Sequence, residues 1–207
     1  MRYGRLEARA QFSRGRGLWG SLELLPSGTH LPGGEGVYGP WPTSGEIDVL
    51  EIANNMDQYH SSIHYGYQPP GDAMKSCRGK IEEEYVGGFH TYALEWDQDE
   101  IRWYFAADGL SKPQLTCSFD NWFSAGWGES SGKKPFDQYF YVRMGLAIGG
   151  FWPGLQVDES LFEDPTHYPM AKIDYIRVYD LVGAPQGRRQ TTVAAPMHPC
   201  AGSSCLQ

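Results

Sequence analysis

Residues 44–53 read SGEIDVLEIA, an apolar stretch interrupted by three acidic side chains. This density of Ile, Val and Leu is typical of a β-strand that packs against a core. Side chains on a strand alternate between its two faces, so Glu46 and Asp48 point the same way, whereas Glu51 would point to the opposite face of a regular strand. One β-bulge between Asp48 and Glu51 adds a residue and returns Glu51 to the shared face. The stretch therefore predicts a bulged strand whose three carboxylates line one cleft.

Apolar or alternating stretches on both sides of this strand predict further strands. They are RYGRLEARAQF, GLWGSLELLP, SSIHYGY, FHTYALEW, EIRWYFAAD, YFYVRMGLAI and KIDYIRVYDL. We interpret residues 27–45 as a long ordered loop or lid, residues 68–80 as a polar connection, and residues 107–138 as loop with a short helix at most. About seven short strands with long loops and almost no helix favour an all-β fold, an antiparallel two-sheet β-sandwich.

The length of 207 residues suits one sandwich or barrel and is too short for two domains of ordinary size. Seventeen Lys and Arg against 25 Asp and Glu give a formal net charge of −8. Nucleic acids and anionic membranes bind clustered positive charge, so the composition argues against both as partners. No apolar run approaches the roughly 20 residues that span a bilayer. The charged start MRYGRLEARA is not a secretion signal.

The composition changes near the C-terminus. Residues 182–207 contain no aromatic side chain and no hydrophobic period. We interpret them as a flexible tail that follows one domain of residues 1–181. The four cysteines are Cys77 and Cys117 in the domain and Cys200 and Cys205 in the tail. The sequence shows neither a C-x-x-C pair nor a zinc-like spacing of His residues near them. The cysteines could therefore form two disulfides or remain four free thiols.

Three carboxylates in one cleft suit the hydrolysis of a glycosidic bond. A retaining glycosidase uses two carboxyl groups about 5–5.5 Å apart, one an ionised nucleophile and the other a protonated acid. Neighbouring positions on one strand face place Cα atoms about 6–7 Å apart, and the side chains of Glu46 and Glu51 can cover the difference. Asp48 between them can hydrogen-bond the nucleophile and keep the acid protonated by its charge. A solvated polar strand face and a calcium site are the alternative interpretations.

Several segments, in order, resemble glycoside hydrolase family 16. SGEIDVLE is similar to the family's E-I-D-x-x-E signature in its bulged, six-residue form. The other matching segments are YGRLEARAQF, GRGLWGSLELLP, YGPWPTSG, SSIHYGY, FHTYALEW, IRWYF, GLAIGGFWPG and KIDYIRVYD. Together they extend over residues 2–181. Within the family, W-P-x-S-G before the signature and G-G-x-W-P-G after it most resemble the laminarinases, which are endo-acting β-1,3-glucanases.

The resemblance implies a two-sheet jelly roll with a concave groove, and it implies roles for individual residues. Glu46 matches the nucleophile, Glu51 the acid/base and Asp48 the assisting carboxylate. Trp41 matches a sugar platform beside the nucleophile, and His64 matches a histidine near the acid/base. Two further substrate-binding positions, matched as aromatic residues of the cleft, are Trp19 and Trp152. Indoles suit such a groove because the C–H faces of pyranose rings stack on them.

The chain also departs from the family's pattern. Members usually carry further strands before YGRLEARA. Two expectations follow: either the sandwich lacks N-terminal strands and exposes apolar core surface, or it closes differently. Glu23 stands where the family usually shows a second tryptophan, Gly20 where it has proline, and Gly145 where asparagine is common. These changes concern the subsites on the nucleophile's side of the cleft and leave the three carboxylates untouched.

The resemblance implies a retaining endo-β-1,3-glucanase that uses no cofactor, with a structural calcium ion on the outer face left open. One alternative is a glucan-recognition protein that binds without cutting, and another is the same fold acting on β-1,3-1,4-glucan or on a galactan. We expect a monomer whose partner is the polysaccharide. The substrate predicts an extracellular location, although the sequence itself contains no address.

Overall fold

The computed structural model describes residues 1–28, 36–54, 57–85, 87–107, 112–126 and 133–181. The strands in these ranges are β1 Gly4–Phe12, β2 Leu18–Pro26, β3 Glu46–Ala53, β4 Gln58–Gly66, β5 Asp72–Lys80, β6 His90–Trp96, β7 Ile101–Ala106, β8 Gln114–Phe119, β9 Phe140–Ile148 and β10 Ala171–Tyr179. The helical elements there are two short 3-10 helices, Glu83–Tyr85 and Glu159–Phe162. None of the helices in these ranges is long or apolar enough to cross a membrane.

The strands pair into two five-stranded antiparallel sheets. One sheet has the order β10-β1-β6-β7-β8, and the other has the order β5-β4-β3-β2-β9. The predicted antiparallel sandwich is confirmed. β3, which carries the acidic cluster, is the central strand of its sheet, so its outward side chains lie in the middle of a sheet face.

The core lies between the sheets and supports β3 from behind. Ile47 and Leu50 of β3 are fully buried and belong to one cluster with Leu6 of β1, Trp96 of β6 and Trp103 of β7. Burial of an aliphatic side chain of this size stabilises the fold by about 1.5–3 kcal/mol. The strand that carries the carboxylates is therefore fixed on its inner face by close packing.

Two segments that we interpreted as connections are strands. Residues 68–80 contain β5, and residues 107–138 contain β8 in addition to loop; no helix forms in the described part of the second segment. Both interpretations were wrong because β5 and β8 are edge strands that lack an apolar period. In β5, DAMKSCRGK, exposed and half-buried residues alternate without a buried position. Such a strand is specified by its pairing with a neighbour more than by its own composition.

A disulfide joins these two edge strands. Cys77 of β5 is bonded to Cys117 of β8, with their Cα atoms 6.4 Å apart. The bond links the edge strands of the two sheets on one side of the sandwich. It settles the state of one pair of cysteines. The predicted tail, residues 182–207, and with it Cys200 and Cys205, lies outside the described residues.

The opposite side of the sandwich, between β9 and β10, is open. Ile173 and Val178 of β10 pair with fully buried residues of β1 and so belong to the inner face, yet they are 41% and 39% exposed. Ile148 of β9 pairs with the buried Leu18 and is also exposed. Apolar side chains of β9 and β10 are therefore exposed along this side.

Candidate active site

The bulge predicted in β3 is present. Asp48 pairs with Ser62 of β4 and Glu51 pairs with His60, so three steps along β3 oppose two steps along β4. The register with β2 on the other side shifts at the same place. Glu51 therefore returns to the sheet face that carries Glu46 and Asp48.

Glu46 begins β3 directly after a turn that needs glycine. Gly45 has a φ of +82°, and a Cβ there would lie 2.8 Å from the ring of Phe136. Both facts exclude larger residues without rearrangement. Trp41, in the preceding loop, donates a hydrogen bond of 2.6 Å from its indole N–H to Glu46 Oε2. The loop thus brings an indole donor, itself 37% exposed, to the first carboxylate.

Asp48 is the most deeply buried carboxylate of the three. Its Oδ2 accepts the hydroxyl hydrogen bond of Ser62 and lies 3.2 Å from His64 Nε2. Among the residues that the structure describes, its Oδ1 finds no hydrogen-bond partner. His64, which the resemblance places near the acid/base, pairs with Glu46 in the register and has its ring centroid 5.6 Å from that of Trp41.

Glu51 lies at the other end of the cluster, among a second set of aromatic rings. Trp19 of β2 donates from its indole N–H to Glu51 Oε1 at 3.0 Å. Trp152, from the loop after β9, contacts Trp19 edge to face at 5.8 Å and His60 at 4.7 Å between ring centroids. The four proposed substrate-binding residues therefore form two groups, one at each end of the row of carboxylates.

Burial raises the pKa of all three carboxyls, and the charge of a neighbouring carboxylate raises each of them further. Burial, followed by the charge of Asp48, raises the pKa of Glu51 to about 7. Burial is also the first cause that raises the pKa of Asp48 to about 7. The pKa of Glu46 is raised well above its usual value by burial and then by the charges of Asp48 and Glu23. The indoles oppose this, since the hydrogen bonds from Trp41 and Trp19 lower the pKa of Glu46 and Glu51 respectively.

Two further charged residues, Glu23 and Arg143, lie beside the cluster. Glu23 of β2 pairs with Asp48 on one side and with Arg143 of β9 on the other, and it accepts a hydrogen bond from Arg143 Nε. One carboxylate oxygen from each of Glu23, Glu46 and Asp48 lies within 4.8 Å of the other two. This spacing would also suit a hard cation, although here a guanidinium supplies positive charge.

From the sequence, Glu23 was recognised only as a departure from the family's pattern, and Arg143 was not recognised at all. A charge inside each of two apolar strands, LWGSLELLP and FYVRMGLAI, was the available signal. Their pairing becomes visible only once the register of β2 and β9 is known. Ser62 and His60 were missed for the same reason, because only the register of β4 brings them to the carboxylates.

Comparison with known proteins agrees with this geometry. The family model described as Glycosyl hydrolases family 16 matches residues 1–117, more than half of the 207 residues. The chain belongs to this family. In this family 16 chain the matched range contains all three carboxylates as well as Trp19, Trp41 and His64, whereas Trp152 and Arg143 lie beyond it.

Curated relatives and solved structures extend the likeness past the matched range. The chain is 31% identical over 182 residues to glucan endo-1,3-beta-glucosidase A1 of Niallia circulans, covering 86% of this chain and 24% of the relative. It is 34% identical over 191 residues to the beta-glucanase of Rhodothermus marinus, covering 86% of this chain and 57% of the relative. The laminarinase structure from Rhodothermus marinus superposes with a TM-score of 0.64 at 32% identity, covering 87% of this chain and 66% of that one. The family 16 chain thus spans between a quarter and two thirds of the length of these proteins.

Proposed function

We propose that the chain is a retaining endo-glycoside hydrolase that cleaves β-1,3-glucan of the laminarin type. The observation that carries this proposal is the bulged strand with Glu46, Asp48 and Glu51 on one face, with an indole N–H donating to each outer carboxyl. Membership of the family and the likeness to named glucanases support the choice of reaction and substrate.

In the first step Glu46 attacks the anomeric carbon while Glu51 protonates the departing glycosidic oxygen. The C–O bond to the leaving sugar breaks, and a covalent glycosyl ester forms on Glu46. Glu51 suits the acid role because burial and the charge of Asp48 raise its pKa to about 7, so that it still holds a proton in mildly acidic solution. Glu46 suits the nucleophile role because it lies at the other end of the row of carboxylates, where the indole N–H of Trp41 donates to its Oε2. A donor at that oxygen stabilises the ionised form.

In the second step Glu51, now ionised, removes a proton from water, and the water oxygen attacks the anomeric carbon. The ester bond to Glu46 breaks, and the sugar leaves with its original configuration after two inversions. Asp48 is the assisting carboxylate, and its contacts with Ser62 and His64 hold it in place between Glu46 and Glu51. Its charge raises the pKa of Glu46 and of Glu51, which for Glu51 favours the protonated form that the first step needs.

The aromatic groups at the two ends of the cluster support binding of a chain rather than of a chain end. Trp41 and Trp152 are each 37% exposed and flank the carboxylates from opposite sides. Partly exposed indoles are suited to stack on pyranose rings. We propose that they hold sugar units on both sides of the scissile bond, with no cofactor in the chemistry. The protein is further proposed to act as a monomer and outside the cell.

The experiment that tests this function is the release of reducing ends from laminarin by purified protein, with Glu46→Gln as the control. The same assay on barley β-1,3-1,4-glucan, agar and carrageenan tests the linkage. Release from laminarin by the parent alone supports the proposal. A folded parent that binds laminarin without releasing reducing ends would instead be a glucan-recognition protein, and release from a galactan alone would replace the substrate.

A further inference from the structure

The ion pair of Glu23 and Arg143 lies in the floor of the cleft, one strand away from the carboxylates of β3. The pairing register sets Arg143, Glu23 and Asp48 in one row across β9, β2 and β3. The two partners are unequally exposed, since the side chain of Glu23 is 5% exposed and that of Arg143 is 40% exposed. The carboxylate of Glu23 is therefore shielded from solvent, whereas part of the Arg143 side chain is exposed.

The stability of the fold does not explain a charged pair at this place. A buried ion pair is often no better than well-packed apolar residues of similar volume, because desolvation offsets the attraction. The pair also adds no net charge to the cleft. Its charges act in opposite directions on Asp48, whose pKa Glu23 raises and Arg143 lowers. What the pair adds to the cleft is a fixed set of hydrogen-bond donors.

A guanidinium has five N–H donors in a planar fork. The hydrogen bond that the described part of the structure gives Arg143 uses Nε, which donates to Glu23. The four N–H groups of the two terminal nitrogens are then directed by that contact. Glu23, which accepts from Arg143 Nε, has a carboxylate oxygen within 4.8 Å of a carboxylate oxygen of Glu46. The guanidinium is therefore bonded to the direct neighbour of the carboxyl that would bind the sugar.

We infer that Arg143, held in place by Glu23, is a specificity-determining residue that hydrogen-bonds hydroxyl oxygens of the sugar unit bound on the Glu46 side of the scissile bond. The inference rests on the proposed function and narrows its substrate class. The selected unit is a fully hydroxylated neutral sugar, such as an unsubstituted glucose residue. A 3,6-anhydro sugar has an ether bridge in place of the hydroxyls at C3 and C6. Such a unit would exclude water from the terminal N–H groups of Arg143 without replacing it by hydroxyl acceptors, so it would bind more weakly.

The test compares kcat and KM on laminarihexaose for the parent, Arg143→Leu, Arg143→Lys and the double variant Glu23→Gln/Arg143→Leu. In the double variant no buried charge is left without its partner, so the fold should be retained while the donors are lost. Thermal unfolding of each variant checks that it is folded. Arg9→Leu is the matched control, because Arg9 forms an ion pair with Asp174 on the other sheet. Because a charged hydrogen-bond donor to the substrate is lost, we expect kcat/KM to fall by about ten- to hundredfold in Arg143→Leu and in the double variant. Arg143→Lys should lose less, and Arg9→Leu should lose nothing.

Binding provides a readout that does not depend on hydrolysis. Calorimetry with laminarihexaose on Glu46→Gln and on Glu46→Gln/Arg143→Leu should show at least about tenfold weaker binding in the second protein. If the parent does not hydrolyse laminarin but this difference is found, the proposed reaction fails and the role of Arg143 stands. The inference would be overturned if the two proteins had equal dissociation constants or if neither bound laminarihexaose. It would also be overturned if Arg143→Leu shifted only the pH profile and left KM unchanged.

Discussion

The indole N–H of Trp19 donates to Glu51 Oε1 at 3.0 Å, across the pairing of β2 and β3. Trp41 makes the corresponding hydrogen bond to Glu46 at 2.6 Å from the loop before β3. An indole N–H can donate but not accept, so each contact favours the ionised form of its carboxyl. The two tryptophans therefore act on the ionisation of different carboxyls, in addition to any stacking on sugar.

The Trp19 contact predicts a shift of one limb of the pH profile. Replacing Trp19 by Phe removes a hydrogen bond that lowers the pKa of Glu51, so that pKa rises. Activity that needs protonated Glu51 should then persist to higher pH, which moves the alkaline limb of kcat/KM upwards from its position near the parent's pKa of about 7. The measurement is kcat/KM on laminarin between pH 4 and 9, roughly the range in which carboxyl groups so perturbed titrate.

Trp41→Phe is the matched control for this shift. It removes the hydrogen bond that lowers the pKa of Glu46, so the limb that moves should be the acidic one, again to higher pH. An alkaline limb that responds equally to both substitutions would show that the two indoles do not act on separate carboxyls.

Removal of the acid/base should depend on the leaving group. In Glu51→Gln no group protonates the departing oxygen, so the first step on laminarin should slow by about 10²–10⁴-fold. An aryl glucoside with an acidic phenol as leaving group needs little protonation, and its first step should slow much less. Burst kinetics with both substrates measure the difference. A loss of equal size on both substrates would be evidence against Glu51 as the acid.

The disulfide predicts a defined contribution to stability. The Cys77–Cys117 bond closes a loop of 40 residues between the edge strands β5 and β8. Constraint of the unfolded chain by a loop of this length is worth up to about 4 kcal/mol. Cys77→Ser/Cys117→Ser should therefore unfold at lower denaturant concentration, with a free energy of unfolding lower by about 2–4 kcal/mol. If the double variant unfolded at the same denaturant midpoint as the parent, with and without reductant, the parent would not form the Cys77–Cys117 bond in solution.

Removal of divalent cations should leave the reaction unchanged. The carboxylates of the cleft act as nucleophile and acid, and Arg143 already provides positive charge beside Glu23 and Asp48. Dialysis against EDTA should thus leave kcat on laminarin within twofold, about the scatter of such assays. A calcium ion on the outer face would instead change the melting temperature. Loss of kcat on dialysis, with recovery on addition of Ca²⁺, would contradict a metal-free mechanism.

The core of the site could be predicted from the sequence because it depends on local rules. The two-residue period of β3 and one bulge suffice to bring Glu46, Asp48 and Glu51 to one face. The interior strands were likewise visible, since their buried faces require apolar residues. Trp96 and Trp103, for example, are almost fully buried in strands that the apolar pattern identified.

The rest of the site depends on register, which a single sequence does not display. In the observed register Glu23 lies opposite Arg143, so both side chains point to the same face of the sheet. A shift of one residue would place them on opposite faces. The edge strand β5 was missed because its exposed outer positions place no demand on composition. His64 could be assigned to the cleft, yet its contact with Asp48 follows from the pairing of β3 with β4.

The central claim is that Glu46 forms a covalent bond to the sugar. The most direct measurement is mass spectrometry of the protein incubated with a 2-deoxy-2-fluoro laminaribiosyl fluoride, in which the fluorine slows both steps and the good leaving group lets the intermediate accumulate. The account predicts one glycosyl adduct, located by peptide mapping on Glu46 and missing from Glu46→Gln. An adduct on Glu51, or an active protein that forms no adduct and releases product of inverted configuration, would contradict it.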